Sequence, residues 1–317
     1  MGVTAPETSS ATGTTATAGR WMWPLAWASL VANIGIVVTG GAVRLTASGL
    51  GCPTWPRCTD ESFTPHGELS AHSAIEFGNR MLTFVLAAVA IATLVVAWRS
   101  GRRILRRLAL VLALGVPAQA VIGGVTVLTD LNPWVVSFHL LCSMAMVGVA
   151  VWLLHRVAHP HVVRRRGPLV GLVWTLLGSA WLVLYVGTVV TGSGPHAGDL
   201  DAPRNGLDPL QLSQLHADAV FLLVGLTLGT LFAVRVADVG ATARRAVTWL
   251  VVVELAQSVV GFVQYFTDLP EVLVGVHMLG AALVSAAVSW VVLAVVLPPS
   301  PGAEAQPSAA TRATVSA

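Results

Sequence analysis

The sequence predicts an all-α integral membrane protein, with eight transmembrane helices arranged as two parallel-repeat four-helix bundles. Three observations predict it. The 317 residues are 55% hydrophobic and only 10% charged, whereas a soluble domain carries roughly a quarter charged residues. Eight long apolar runs follow one another along the chain. The second half then repeats polar details of the first.

The apolar runs fall at 22–43, 71–98, 104–127, 134–155, 168–191, 211–237, 244–265 and 271–297. Each is long enough to cross about 30 Å of hydrocarbon at about 1.5 Å per residue. Residues 1–21 are rich in Ser, Thr, Ala and Gly and lack a basic n-region. They predict a disordered tail ahead of the first span, not a cleaved signal. Residues 298–317 predict a second such tail. The third and seventh runs carry polar residues, Gln119 in one and Glu254 with Gln257 in the other.

Every basic residue is arginine. Arg99, Arg102, Arg103, Arg106 and Arg107 surround the second connection between spans, and Arg156, Arg164, Arg165 and Arg166 surround the fourth. Arg235, Arg244 and Arg245 surround the sixth, while the opposite side offers only Arg44, Arg57 and Arg204. Positive residues stay in the cytoplasm. Both termini are therefore expected inside a cell membrane, with loop 44–70 outside. The net charge of +3 is a topology signal and does not point to nucleic acid.

The stretch from Gln119 to His139, QAVIGGVTVLTDLNPWVVSFH, aligns without a gap to Gln257–His277, QSVVGFVQYFTDLPEVLVGVH, with nine of 21 positions identical. The matches include Gln, Gly, the Thr-Asp-Leu turn and the final His. GIVVTG at 35–40 matches GTVVTG at 187–192. The halves are 22–160 and 168–297. Four spans per half is an even number, so both halves enter from the same side and the repeat is parallel, unlike the inverted repeats of many transporters.

Ionisable residues inside a membrane are functional candidates by default. His139, His216 and His277 each lie about five residues into a span that begins on the outer side, roughly 8–12 Å deep. The counterpart of His216 in the second span is Asn79, with His72 two turns earlier at the interface. Paired imidazoles on facing helices of a four-helix bundle suit a b-type haem, and His216 with His277 makes such a pair. A lone histidine serves equally well as an interhelical hydrogen-bonding residue. Three at matching places favour haem. Glu76 shares a helix face with Asn79 and Arg80. Glu76 and Arg80 form either an internal ion pair or a reacting carboxylate beside a propionate-binding guanidinium. His155, His159 and His161 are expected to be solvated at the basic end. Cys142 reads as a small buried apolar residue. Cys52 and Cys58 lie on the outer side, where disulfides persist.

The segment GGAVRLTASGLGCPTWPRC, from Gly40 to Cys58, followed by IEFGNRMLT, resembles the haem A synthase family over about 22–297. The resemblance implies oxidation of the C8 methyl of haem O to a formyl group by two hydroxylations, supplying terminal oxidases. It implies substrate haem in the first half at His139, haem b in the second at His216 and His277, and Glu76 as the essential carboxylate. The family usually has Glu-x-x-His-Arg where this chain has Glu76-Phe77-Gly78-Asn79-Arg80, which leaves the second ligand of the substrate iron open. Arg44 and Arg80 are expected near propionates, and the loop is expected to lid the first site. Haem O synthase is the expected substrate donor, alongside an unidentified electron donor and an external thiol partner for the cysteines. The competing readings are a di-haem b-type electron carrier and a parallel-repeat transporter.

Overall fold

The structure, a computed structural model, describes residues 11–65 and 70–300. Among the described residues eight helices follow in order: α1 (Ala11–Leu45), α2 (Ala71–Arg99), α3 (Arg103–Leu128), α4 (Pro133–Ala158), α5 (Pro168–Ser193), α6 (Pro209–Val236), α7 (Ala241–Phe266) and α8 (Glu271–Val296). Each contains a span long and apolar enough to cross a membrane. The chain is thus a multi-pass membrane protein. Among the described residues there is no strand beyond one isolated bridge between Val162 and Pro299.

Local chemistry sets the helix ends. Pro at the first helical position opens α4, α5 and α6, where a missing N–H leaves nothing unsatisfied. Asp208 caps α6 by accepting from Leu210 N (2.8 Å) and Gln211 N (3.2 Å). The two Thr-Asp-Leu turns fold alike. Asp130 and Leu131 have φ of 52° and 58°, and Asp268 and Leu269 both have 57°. Thr129 Oγ1 donates back to Val125 O at 2.8 Å, and Thr267 Oγ1 to Val263 O at 2.7 Å.

Two expectations need correction. The first helix starts at Ala11, so the described part of the expected 1–21 tail, residues 11–21, is helical. Ala11, Ala16 and Ala18 favour helix and let it run on from the apolar span. Residues 1–10 and 301–317 of the expected tails lie outside the described residues. Of the 298–317 tail, the first residues pair with the α4–α5 connection: Val163 N donates to Pro298 O (3.0 Å) and Ser300 N to His161 O (3.1 Å). The second correction is His155, which is buried rather than solvated, its ring N–H donating to Leu297 O at 2.9 Å.

Helix contacts close into two rings. α1–α2–α3–α4 is one, returning from α4 to α1; α5–α6–α7–α8 is the other, returning from α8 to α5. The rings meet where α8 packs on α1 and α4, and α4 on α5. Close approach relies on small residues, as expected without a hydrophobic driving force in lipid. A Cβ on Gly148 would lie 2.9 Å from Ser289 Oγ, and one on Gly41 would lie 2.8 Å from Met278 Sδ. Ser285 Oγ donates to Met144 O across the joint (2.9 Å), and Ser137 hydrogen-bonds Thr188. The loops after α1, α3, α5 and α7 lie at one end of the bundle. The arginine-rich connections lie at the other, where Arg102 donates to Arg156 O at 2.6 Å. Burial, with the Arg156 charge nearby, lowers the Arg102 pKa from its ordinary value.

Candidate functional site

The three span histidines occupy equivalent stations. Each sits near the start of an even-numbered helix, with its ring against a glycine of the preceding odd-numbered helix. A Cβ on Gly123 would lie 3.3 Å from His139 Cε1, on Gly187 3.0 Å from His216 Cε1, and on Gly261 3.3 Å from His277 Cε1. Any larger residue would push into the imidazole, so the glycines make room for the rings. A glutamine braces two of the three. Gln257 Nε2 donates to His277 O at 2.7 Å, and Gln119 Nε2 to Ser143 Oγ at 2.6 Å and to His139 O at 3.4 Å.

The fourth station differs. Gly35, at the start of the GIVVTG repeat, has nothing within 4 Å of its Cβ position. One turn later on the same face, Thr39 Oγ1 donates to Asn79 Oδ1 at 2.8 Å. His72, two turns earlier on α2, is exposed and hydrogen-bonded to Ser48 Oγ through Nδ1 (3.1 Å). It belongs to the loop rather than to this station.

The His216 and His277 rings face each other across the second ring of helices, centroids 6.3 Å apart and planes at 63°. Two metal–nitrogen bonds of about 2 Å each, with two imidazole radii of about 1.1 Å, come to roughly 6 Å. Two axial imidazoles on one iron fit this spacing. His139 Nδ1, His216 Nδ1 and His277 Nδ1 are all buried with no hydrogen-bond partner. Buried imidazole nitrogens without partners are uncommon in a finished structure. The residues present therefore fit a haem held between α6 and α8, and an imidazole ligand offered from α4.

The loop after α1 closes over the α2 end of the first ring. Cys52 and Cys58 form a disulfide and are 0% and 1% exposed. Glu76 and Arg80, one turn apart on α2, hold this loop. Glu76 Oε2 accepts from Cys52 N at 2.6 Å, and Oε1 from Arg80 Nη2 (2.6 Å) and Nε (3.1 Å). Arg80 then donates to three loop carbonyls: Cys52 (3.0 Å), Thr54 (3.1 Å) and Arg57 (3.2 Å). The pair is both the internal ion pair and a clamp. A carboxylate has about four lone-pair sites, so Oε2 keeps one for a further donor.

Trp55 seats against α3, where a Cβ on Gly124 would fall inside the indole. Gly124 follows Gly123, the residue facing His139, so the indole sits beside that station. At the matching place in the second half stands Phe262. The Trp55–Pro56 peptide is cis. Gly51 is required by crowding, since a Cβ there would lie 2.6 Å from His72 O. Arg44 ties the two rings together, donating from Nε to His196 O (2.5 Å) and from Nη2 to Thr191 O (2.9 Å).

Sequence reasoning placed the histidines, Glu76, Arg80 and the cysteine pair, but missed the glycine ladder and the Trp55 seat. The ladder was readable in part: Gly123 and Gly261 are the Gly match of one repeat, and Gly35 and Gly187 open the other. It also missed Thr227 Oγ1, 2.8 Å from the buried carboxyl of Glu254. The repeat counterparts of these two residues, Ala90 and Val116, pack in an apolar cluster.

A family model described as cytochrome oxidase assembly protein, COX15-CtaA, matches residues 23–198. Heme A synthase from Geobacillus kaustophilus (strain HTA426) is 31% identical over 121 residues, 38% of this chain and 37% of that one. The chain thus aligns with little more than a third of that relative. Heme A synthase from Staphylococcus epidermidis (strain ATCC 35984) is 22% identical over 275 residues, 80% of this chain and 90% of the relative. Protoheme IX farnesyltransferase from Halobacterium salinarum (strain ATCC 700922) is 30% identical over 95 residues, 30% of this chain and 21% of that one.

Proposed function

Since the chain belongs to the COX15-CtaA family of cytochrome oxidase assembly proteins, we propose that it is a haem A synthase, oxidising the C8 methyl of haem O to a formyl group by two successive hydroxylations. The observation that carries this reading is the set of three Gly–His stations at matching places in the bundle, with a glutamate-clamped disulfide loop over the α1–α4 ring only. One half offers a fixed imidazole pair. The other offers one imidazole beside a carboxylate and a loop.

In this reading residues 22–160 bind substrate and residues 168–297 bind haem b, as a parallel repeat. His216 and His277 hold haem b, which supplies one-electron redox chemistry when bound. His139 orients the substrate iron. Glu76 accepts the proton released at the reacting methyl on the lone pair left on Oε2, while Arg80 holds that carboxyl in place. Arg44 and Arg80 would hold the haem propionates by charge-assisted hydrogen bonds. Trp55 and the disulfide loop keep bulk water from the site. Haem O is too apolar to diffuse freely through water, so direct transfer from haem O synthase fits, with the product passing to terminal oxidase assembly. The protein sits in the cell membrane with both termini in the cytoplasm and the disulfide loop outside.

The test is haem extraction and chromatography of membranes from a host that makes haem O but not haem A, with and without this protein. Haem A is expected only with the protein and is lost in Glu76→Gln, with haem b retained. Protein-bound haem b without haem A, at adequate expression and with a reductant supplied, would overturn the synthase reading in favour of an electron carrier.

A further inference from the structure

The glycine ladder has four rungs, and one is unfilled. At three rungs an imidazole crowds the glycine, with Cε1 at 3.0–3.3 Å from the Cβ position. At the fourth, Gly35 meets nothing within 4 Å, and the facing residue is the shorter Asn79. Its Oδ1 is turned aside to accept from Thr39, which leaves the carboxamide N–H groups as donors. Carboxamides are absent from the usual axial haem ligands, which are His, Met, Cys and Tyr. Among the described residues no other imidazole is placed to substitute, since His72 is tied to Ser48 at 3.1 Å.

We propose that the first-half haem, on the reading given above, has His139 as its one protein ligand and keeps an open axial position on the Asn79 side, which binds a small neutral ligand, water or a diatomic gas. Three observations build this site: the space at Gly35, the short Asn79 side chain, and a carboxamide whose oxygen is taken by Thr39, leaving its N–H groups as donors. Donors and steric access on the open side of a haem decide whether it takes up a small molecule. The second half has no such position, because His216 and His277 stand at two-ligand spacing.

The test uses the full chain isolated anaerobically from a haem-O-producing host, with carbon monoxide as probe. The dithionite-reduced protein should contain both haems and bind one carbon monoxide per chain. His139→Ala should lose that binding together with haem O, while the haem held by His216 and His277 keeps its low-spin spectrum. Asn79→His should turn the first-half haem low-spin and weaken carbon monoxide binding at least tenfold. If Asn79→His fails to fold, the spin state of the wild-type ferric protein decides alone, since an open position requires a high-spin signal. Two haems present with both low-spin and no carbon monoxide bound would overturn the open position. A single haem that is unaffected by His139→Ala would instead overturn the substrate-haem reading on which it rests.

Discussion

Glu76→Gln should expose the disulfide to reductant. Cys52 and Cys58 are 0% and 1% exposed, so a thiol can attack only after the loop opens. The loop is held through Glu76, whose two oxygens face two sets of donors, Cys52 N–H on one side and the Arg80 guanidinium on the other. Glutamine has a single acceptor oxygen. Whichever way its amide turns, an NH₂ group confronts a donor, and one charge-assisted hydrogen bond is lost. Such a bond contributes about 1.5–3 kcal/mol. The Arg80 and Glu76 side chains are 20% and 7% exposed, and solvent screening argues for the lower part of that range, about 1.5–2 kcal/mol. At about 1.4 kcal/mol per factor of ten, loop opening becomes roughly 10- to 30-fold more frequent. The assay is the rate of reduction by dithiothreitol of purified protein in detergent, read by gel shift with a polymer-linked maleimide. Cys142 provides the unreduced baseline. A rate within twofold of wild type, in a variant that elutes as a folded protein, would refute the clamp.

Three further variants probe the packing. Gly124→Phe places a ring where Trp55 sits, reproducing the Phe262 arrangement of the second half; the loop should detach, and trypsin should cut after the exposed Arg57 at least several-fold faster, unchanged cleavage counting against the seat. Gly187→Ala drives a Cβ to 3.0 Å from His216 Cε1 while Gly35→Ala meets open space, so in haem-free protein the first should destabilise by about 1–3 kcal/mol. The second should be neutral or stabilising by up to ~1 kcal/mol, from better helix propensity. Equal melting-temperature shifts for the two would contradict the ladder.

The parts of the fold legible in the sequence are those governed by short-range rules. Hydropathy placed all eight helices because a spanning segment must satisfy its own backbone. The Thr-Asp-Leu matches marked two turns with the same left-handed pair. Glu76 and Arg80 were legible as an i,i+4 pair. That Arg80 also gathers the carbonyls of Cys52, Thr54 and Arg57 was not, because no pattern in a loop states where its carbonyls point. The early start of α1 was hidden by the Thr- and Gly-interrupted composition of residues 11–19. His155 was misread because its position beside arginines suggested water, whereas residues 297–300 fold back over that end. The ladder glycines were hard to single out because glycine is common in membrane helices, and a glycine is informative only once the side chain it makes room for is located.

Helix α8 has a consequence for how the protein is made. It is the last of the eight to emerge, yet 67% of an apolar 18-residue stretch of it is buried, against at most 39% of the corresponding stretch in the others. It touches α1, the first to emerge, as well as α4, α5 and α7. Chains are built from the N-terminus, and segments associate as they arrive. Until residue 271 and its successors enter, His216 has no facing imidazole, the α5–α7 group is an open arc, and the α1–α4 ring meets that arc only through α4 on α5. Arrival of one helix closes the arc, pairs the imidazoles and completes the joint between the rings in a single late event. A ribosome stalled before α8 therefore leaves a complete first ring whose α1 and α4 faces lack the helix that joins them to the rest.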